Sequence, residues 1–154
     1  MVDVGSKEPT NRVARASALV RMQPATLRRI QDRVMSKGDV LEVARLAAIM
    51  AVKRTADLIP LCHPLSVDGA DVSFEFPDKQ SVAIEAKVRV TAKTGVEMEA
   101  LVAVSTAALT IYDMCKSVDR GMTIERIRLE EKVGGKSGHF VREEETGESN
   151  NQSS

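Results

Sequence analysis

Two neighbouring runs of alternating apolar and polar residues constrain the fold more than any other feature of this chain. The first run ends at Pro77-Asp78-Lys79, a tripeptide typical of a turn. The apolar positions before and after it are Val72, Phe74, Phe76, then Val82, Ile84, Ala86, Val88 and Val90. A period of two predicts strands with one buried face. Residues 70–91 are therefore predicted to form a β-hairpin, and the rest of the chain must cover its apolar face.

Apolar residues at helical spacing predict the covering layer. Leu27, Ile30 and Val34 follow Pro24 and predict a short helix over residues 24–36. A second helix is predicted to begin after an Asp39 cap and to end at Pro60. The longest helical pattern runs from Gly95 to about Val118.

Two further strands complete the prediction, one over residues 13–20 and one around Ile127 and Leu129. The predicted order is β, α, α, β, β, α, β, which is typical of the split βαβ arrangement. We therefore expect an α+β, ferredoxin-like fold, with one antiparallel β-sheet covered by helices on one face. The other face is left open to association, which favours an oligomer.

Composition points to a single soluble domain over residues 1–142 and a tail over residues 143–154. The last twelve residues hold four Glu and no basic residue, and they are predicted to be disordered. The remaining 142 residues carry 22 basic and 18 acidic groups, a balance that suits a phosphorylated small molecule better than a nucleic acid. With no predicted membrane span, no recognisable secretory signal and two cysteines, we expect a cytoplasmic protein with reduced thiols.

The segment Ile59-Pro60-Leu61-Cys62-His63-Pro64-Leu65 is the most unusual in the chain, because two prolines fix the backbone around a Cys-His pair. Such a segment suits a recognition loop. By itself the segment is more typical of a turn that joins a helix to the hairpin, with His63 an ordinary satisfied side chain. No second Cys or His stands at zinc-ligand spacing, so we expect no metal site.

The long helix carries acidic residues near both ends. Asp113 and Lys116 are three residues apart and share a face, so they are either a solvated ion pair or a carboxylate that holds a lysine for proton transfer. Glu97 and Glu99, in the first turn, can simply complement the helix dipole. Glu99 and Asp113 are about 21 Å apart along the axis, so one small substrate cannot contact both within a single chain. Either two chains contribute to each site, or the two residues belong to different sites.

The glycine-rich segment Gly134-Gly135-Lys136-Ser137-Gly138 is not a P-loop, because position 130, where that motif needs glycine, is Glu. It is either a mobile loop whose amides meet an anion or a flexible connector. Further positive charge is available from dispersed residues that are individually unremarkable: Arg12, Lys37, Lys53, Arg54 and Lys132.

Four segments together resemble one protein family. They are residues 58–65, Lys93-Thr94-Gly95-Val96-Glu97-Met98-Glu99-Ala100-Leu101, residues 108–116, and residues 134–138. In this order and spacing they resemble the MoaC family of molybdenum-cofactor biosynthesis, and the resemblance runs from Met1 to about Phe140.

The resemblance implies an enzyme that converts 3′,8-cyclo-7,8-dihydroguanosine 5′-triphosphate into cyclic pyranopterin monophosphate and releases pyrophosphate. It also implies a ferredoxin-like fold and a homohexamer, built as a trimer of dimers, with sites at a dimer interface. No cofactor is implied. The strongest alternative from another class is a non-catalytic nucleotide-binding or RNA-binding oligomer, which the scarcity of aromatic residues disfavours.

The same resemblance implies the site residues. Leu61, Cys62 and His63 would line the substrate pocket, and Met98 and Glu99 would contact the guanine-derived ring. The implied catalytic residues are Lys37, Asp113 and Lys116, with Lys116 oriented by Asp113 and both lysines moving protons. The residues implied to hold the triphosphate are Arg12, Lys53, Lys132 and Lys136.

Overall fold

The computed structural model describes residues 1–144 and forms a five-stranded antiparallel sheet with helices. The strands are β1 (Thr10–Arg21), β2 (Gly69–Glu75), β3 (Ser81–Ala92), β4 (Thr123–Val133) and β5 (Phe140–Val141). The helices are α1 (Pro24–Gln31), α2 (Val40–Val52), α3 (Thr55–Leu58) and α4 (Glu97–Cys115).

The strand order is β2-β3-β1-β4-β5, with every neighbouring pair antiparallel. As a result β1 runs parallel to β2 with β3 between them, and β3 runs parallel to β4 with β1 between them. Each helical connection therefore joins two parallel strands that have one antiparallel strand between them. This is the split βαβ arrangement predicted from the sequence. The prediction of an α+β fold is confirmed.

The core lies between one face of the sheet and α4. Ala14, Ala16 and Ala18 of β1 point to this face, and small residues of α4 such as Ala103 and Ala107 are fully buried against it. Alanine on both surfaces lets the helix approach the sheet closely. Among residues 1–144, α4 is the one helix with the length and composition of a membrane span, and most of it is buried in the protein.

Ion pairs cover the opposite face of the sheet. Arg15 on β1 contacts Glu85 on β3 at 3.0 Å and Glu131 on β4 at 3.3 Å. Ser17 donates to Glu130, which also accepts from Arg128 at 2.7 Å. This face is therefore polar, and the apolar groups left exposed by the helices lie elsewhere.

The predicted hairpin is confirmed, but two predicted helices end earlier than expected. The first stops at Gln31 rather than at residue 36, because Arg33 takes a left-handed backbone conformation (φ 57°). The Val34 N–H then bonds to the Arg29 carbonyl and the Arg33 N–H to the Ile30 carbonyl, which is a Schellman motif. Glycine usually occupies the left-handed position, so the sequence carried no signal for this stop.

The second predicted helix, expected to reach Pro60, ends at Val52. The Thr55 hydroxyl donates to the carbonyls of Ala51 and Val52, which would otherwise accept bonds from the next helical turn. The chain then forms the separate short turn α3. The predicted cap is confirmed, because the Asp39 side chain accepts from the Glu42 N–H at 3.2 Å.

Of the predicted tail, Glu143 and Glu144 are exposed and outside any helix or strand. The rest of the disorder prediction concerns residues 145–154, which lie outside the described residues.

Candidate active site

Three of the predicted residues meet at the C-terminal end of α4. The Asp113 carboxylate contacts Lys116 Nζ through Oδ1 at 2.8 Å and Lys37 Nζ through Oδ2 at 2.9 Å. Lys37 also donates to the Asp113 backbone carbonyl at 3.1 Å. Two ammonium groups from distant parts of the chain therefore face one carboxylate on an exposed surface. We call these residues the lysine–aspartate cluster.

The two lysines determine the charge state of Asp113. Hydrogen bonds from Lys116, then from Lys37, together with their positive charges, lower the pKa of Asp113 to about 2. Asp113 is consequently ionised at neutral pH. The carboxylate is therefore an anion that pairs with two ammonium groups, and its low pKa makes it a poor base.

A tight turn places Lys37. The Gly38 N–H donates to the Met35 carbonyl at 3.0 Å, and Gly38 has a positive φ of 104°, which disfavours a residue with a side chain. Met35 is buried and anchors the turn in the core, while Asp39 caps α2 directly after it. The turn thus fixes the backbone of Lys37, whose side chain extends to Asp113 on α4.

A pocket of about 440 Å³ lies at the other end of α4. The implied substrate-binding residues Leu61, Cys62, His63, Met98 and Glu99 all line it. The proline-bracketed segment forms one wall, and the first turn of α4 forms another. The volume lies in the range expected of a small-molecule site.

Glu99 is the buried acid of this pocket, with only 3% of its surface exposed. Burial raises the pKa of its carboxyl group, and the nearby Glu97 adds to the shift. Burial likewise raises the pKa of the Cys62 thiol, with Glu99 and Glu97 contributing. Cys62 is therefore mainly a protonated thiol at neutral pH, which argues against a role as a nucleophile.

The N-terminal residues were not predicted to belong to the pocket. Val2, Val4 and Lys7 line it, and the turn that carries them is fixed by Lys93, whose Nζ donates to the Gly5 carbonyl at 2.8 Å. These residues have no helical or strand periodicity. The only available signal was that the family resemblance begins at Met1.

The glycine-rich segment packs around Arg12. A Cβ at Gly135 would lie 2.2 Å from Arg12 Nη1, and a Cβ at Gly134 would lie 2.4 Å from the Asn11 carbonyl oxygen. Arg12 in turn donates to the Lys93 carbonyl at 3.4 Å, directly before the pocket residue Thr94. Close packing against the backbone therefore requires glycine at position 134. The contact of Arg12 with Lys93 brings its guanidinium group to the edge of the pocket.

The remaining predicted cations are more peripheral. Lys132 donates to Ser137 and so ties β4 to the glycine-rich segment, and Lys136 is exposed on that segment. Lys53 is exposed at the C-terminal end of α2. None of the three lines the pocket at the start of α4.

Within one chain, the pocket and the lysine–aspartate cluster lie at opposite ends of α4. The 14 residues from Glu99 to Asp113 span about 21 Å at the helical rise. Among residues 1–144, no group of three or more His, Cys, Asp or Glu side chains is placed to hold a metal ion.

Comparison with known proteins identifies the family. The model of the MoaC family matches residues 1–135, which is most of the chain. The chain belongs to the MoaC family. The match contains every predicted site residue except Lys136.

Curated MoaC relatives match over nearly their whole length. A protein of Heliobacterium modesticaldum is 61% identical over 94% of this chain and 91% of its own length. One of Desulfitobacterium hafniense is 58% identical over 94% of this chain and 88% of its own length. One of Parvibaculum lavamentivorans is 59% identical over 91% of this chain and 88% of its own length. All three are named cyclic pyranopterin monophosphate synthase.

Proposed function

We propose that this protein is a cyclic pyranopterin monophosphate synthase, a lyase of molybdenum-cofactor biosynthesis. Its substrate is 3′,8-cyclo-7,8-dihydroguanosine 5′-triphosphate, and its products are cyclic pyranopterin monophosphate and pyrophosphate. Identity of 61% to a synthase of that name over almost the full chain carries the assignment. The geometry of the lysine–aspartate cluster supports it, because the reaction needs several proton transfers.

The catalytic residues in this proposal are Lys37, Asp113 and Lys116. The two ammonium groups lie 2.9 and 2.8 Å from one carboxylate, so each is held at a defined position. The lysines give and accept protons as the five-membered ring of the purine opens and the pterin ring closes. Asp113 remains ionised and orients both lysines.

Residues of the pocket bind the purine-derived part of the substrate. Leu61, Cys62 and His63 contact it from the proline-bracketed segment, while Met98 and Glu99 contact the guanine-derived ring. A buried carboxylate suits this task, because it can accept from the N–H groups of guanine, and a site built to pair such groups rejects analogues that lack them.

Basic residues bind the triphosphate and stabilise the departing pyrophosphate, and no metal-binding residue is assigned. Arg12 and Lys132 lie beside the glycine-rich segment, with Lys136 on it and Lys53 at the end of α2. Cations held in place before the reaction stabilise negative charge as it develops on the leaving group.

The proposed assembly is a homohexamer, a trimer of dimers, in which two chains complete each site. About 21 Å of helix separates Glu99 from Asp113 within one chain, so two copies of α4 in antiparallel contact would bring the pocket of one chain to the cluster of its partner. The helical layer also carries an apolar groove with a volume of about 520 Å³, lined in part by Ala47, Met50 and Thr106. Exposed Leu46 and Leu109 extend the apolar surface of this layer.

The decisive experiment supplies the purified protein with freshly made cyclised dihydro-GTP. Pyrophosphate release and, after oxidation, pterin fluorescence are both expected. If a folded hexamer gives neither signal, the chain is a binding or scaffold protein and the proposal fails.

Variants then test the residue roles. Asp113→Ala and Lys116→Ala should each lower activity by more than about tenfold, as expected for general acid and base groups. Arg120→Ala, an exposed substitution on the turn after α4, is the matched control and should keep normal activity. Smaller losses in both catalytic variants, with the hexamer intact, would remove this mechanism.

A further inference from the structure

A buried carboxylate outside the proposed catalytic set links the segments that carry the two lysines. Asp119 lies three residues after Lys116 and has only 4% of its surface exposed. Its Oδ2 accepts from the Gln23 backbone N–H at 2.8 Å and from the Thr26 hydroxyl at 2.9 Å. Thr26 is also buried. These bonds join the turn after α4 to the beginning of α1.

Asp119 supplies the side-chain acceptor that the N-terminus of α1 lacks within its own segment. Gln23 is the N-cap residue, and its side chain makes no capping hydrogen bond. No acidic residue stands in the first turn of α1 either. Asp119 supplies a carboxylate at this helix N-terminus from a distant part of the chain, where negative charge is favourable.

The segment from α1 to Lys37 is consequently attached to the end of α4 at both of its ends. At one end Asp119 holds Gln23 and Thr26, and at the other Lys37 contacts Asp113. On the α4 side, the Asp119 N–H bonds to the Cys115 carbonyl at 3.1 Å, which fixes the turn directly after Lys116. One buried side chain thus constrains the supports of both lysines.

We propose that Asp119 is a positioning residue for the synthase reaction, which sets the distance between Lys37 and Lys116 by tying the start of α1 to the turn after α4. This inference rests on the proposed function. Asp119 is not among the residues that line the pocket, and it acts through the two lysines. Small displacements of reacting groups slow catalysis far more than they weaken binding.

Kinetics of two substitutions test this role. Asp119→Ala removes the oxygen that accepts both hydrogen bonds. The substitution should lower kcat by roughly tenfold or more, with KM changed by less than about threefold. Asp119→Asn keeps one oxygen that can accept both hydrogen bonds, and should retain kcat within about twofold. A normal kcat in Asp119→Ala, or an equal loss in both variants, would overturn the proposal.

Thr26 gives a second, milder pair of variants should Asp119→Ala fail to fold. Thr26→Val removes one donor at nearly constant shape, whereas Thr26→Ser keeps the hydroxyl group. The valine variant should lose kcat and the serine variant should retain it. Equal kcat in the two would contradict the inference.

The titration of Asp113 provides a readout that a purely structural role would not change. It is followed by NMR of a ¹³C-labelled aspartate carboxyl in wild type and Asp119→Ala. Wild type should titrate at about 2, and the variant closer to the ordinary value of 3.8 as one lysine moves away. An unchanged Asp113 pKa in folded Asp119→Ala refutes the positioning role. Because this measurement needs no substrate, it separates failure of this inference from failure of the proposed function.

Discussion

Lys37 and Asp113 are 76 residues apart in the chain, yet the Nζ atom of Lys37 lies 2.9 Å from Oδ2 of Asp113. The contact joins a turn between two helices to the last turn of α4. Together with Lys116 it lowers the pKa of Asp113 to about 2. Several measurable properties depend on this contact and on the other local features of the site.

The stabilising effect of the lysine–aspartate cluster should disappear in acid. The pKa of Asp113 is lower in the folded chain than in the unfolded chain, so its contribution is present above about pH 4 and is lost as pH falls from 3.8 toward 2. Urea unfolding of wild type and Asp113→Asn at several pH values measures it. A stability difference that persists undiminished at pH 2 would contradict the assigned ion pairs.

Glu99 should show the opposite dependence. Burial raises the pKa of its carboxyl group, so folding favours the protonated form, and that contribution is lost as pH rises through the folded pKa. Glu99→Gln should therefore be more stable than wild type at pH 7 and no more stable at pH 3. Activity should fall in the same variant if Glu99 contacts the substrate. Denaturant unfolding at the two pH values measures the stability difference between Glu99→Gln and wild type and so tests its sign.

Gly134 should tolerate no side chain. A Cβ there would lie 2.4 Å from the Asn11 carbonyl oxygen and 2.9 Å from Arg12 Cδ, and its φ is 99°. Gly134→Ala should lower the free energy of unfolding by about 1–3 kcal/mol and raise KM, because Arg12 is displaced. The control is Gly138→Ala, where φ is also positive but no atom lies within 4 Å. Equal KM values in the two variants would exclude the packing argument.

Arg33→Gly should stabilise the protein. Arg33 is the left-handed residue that ends α1, a conformation that costs a residue with a side chain about 1–2 kcal/mol. The greater flexibility of glycine in the unfolded chain offsets part of the gain from relieving this conformational cost. Loss of the exposed ion pair between Arg33 and Asp39 has little effect. We expect a gain of about 0.5–1 kcal/mol in unfolding experiments. Arg29→Gly, inside the helix, should instead lose about 1 kcal/mol.

Leu109→Glu should dissociate the proposed assembly and lower activity with it. Leu109 is 59% exposed on α4, and a charged group there opposes burial in an apolar interface. Sedimentation should show smaller species for this variant, while Lys79→Glu, on the exposed hairpin turn, should sediment as wild type. A hexamer that survives the Leu109 substitution would place the interface elsewhere.

The fold was predictable wherever burial imposes a period. The hairpin and α4 followed from apolar spacing, and the split βαβ order followed from the sequence of elements. The ends of α1 and α2 were wrong because they depend on side-chain bonds and on an unusual backbone conformation. Arg33 stands where glycine is expected, and the hydroxyl of Thr55 bonds to carbonyls of the preceding turn.

The sequence placed candidate residues in two groups, at the two ends of α4, but it did not give the geometry of either group. Spacing alone suggested that Lys116 pairs with Asp113, whereas the approach of Lys37 depends on a turn 76 residues away in the chain. Val2, Val4 and Lys7 reach the pocket through a segment without periodicity. Asp119 was not a candidate, because its importance depends on burial and on a helix start that is distant in sequence.

The separation of Glu99 from Asp113 along α4 has a genetic consequence in the proposed assembly. If each site draws its pocket from one chain and its lysines from the partner, a Glu99→Ala chain and an Asp113→Ala chain carry complementary defects. A mixed dimer then contains one site with both defects and one site with neither. Two inactive alleles expressed in the same cell should consequently restore synthesis of the cofactor, although neither does so alone.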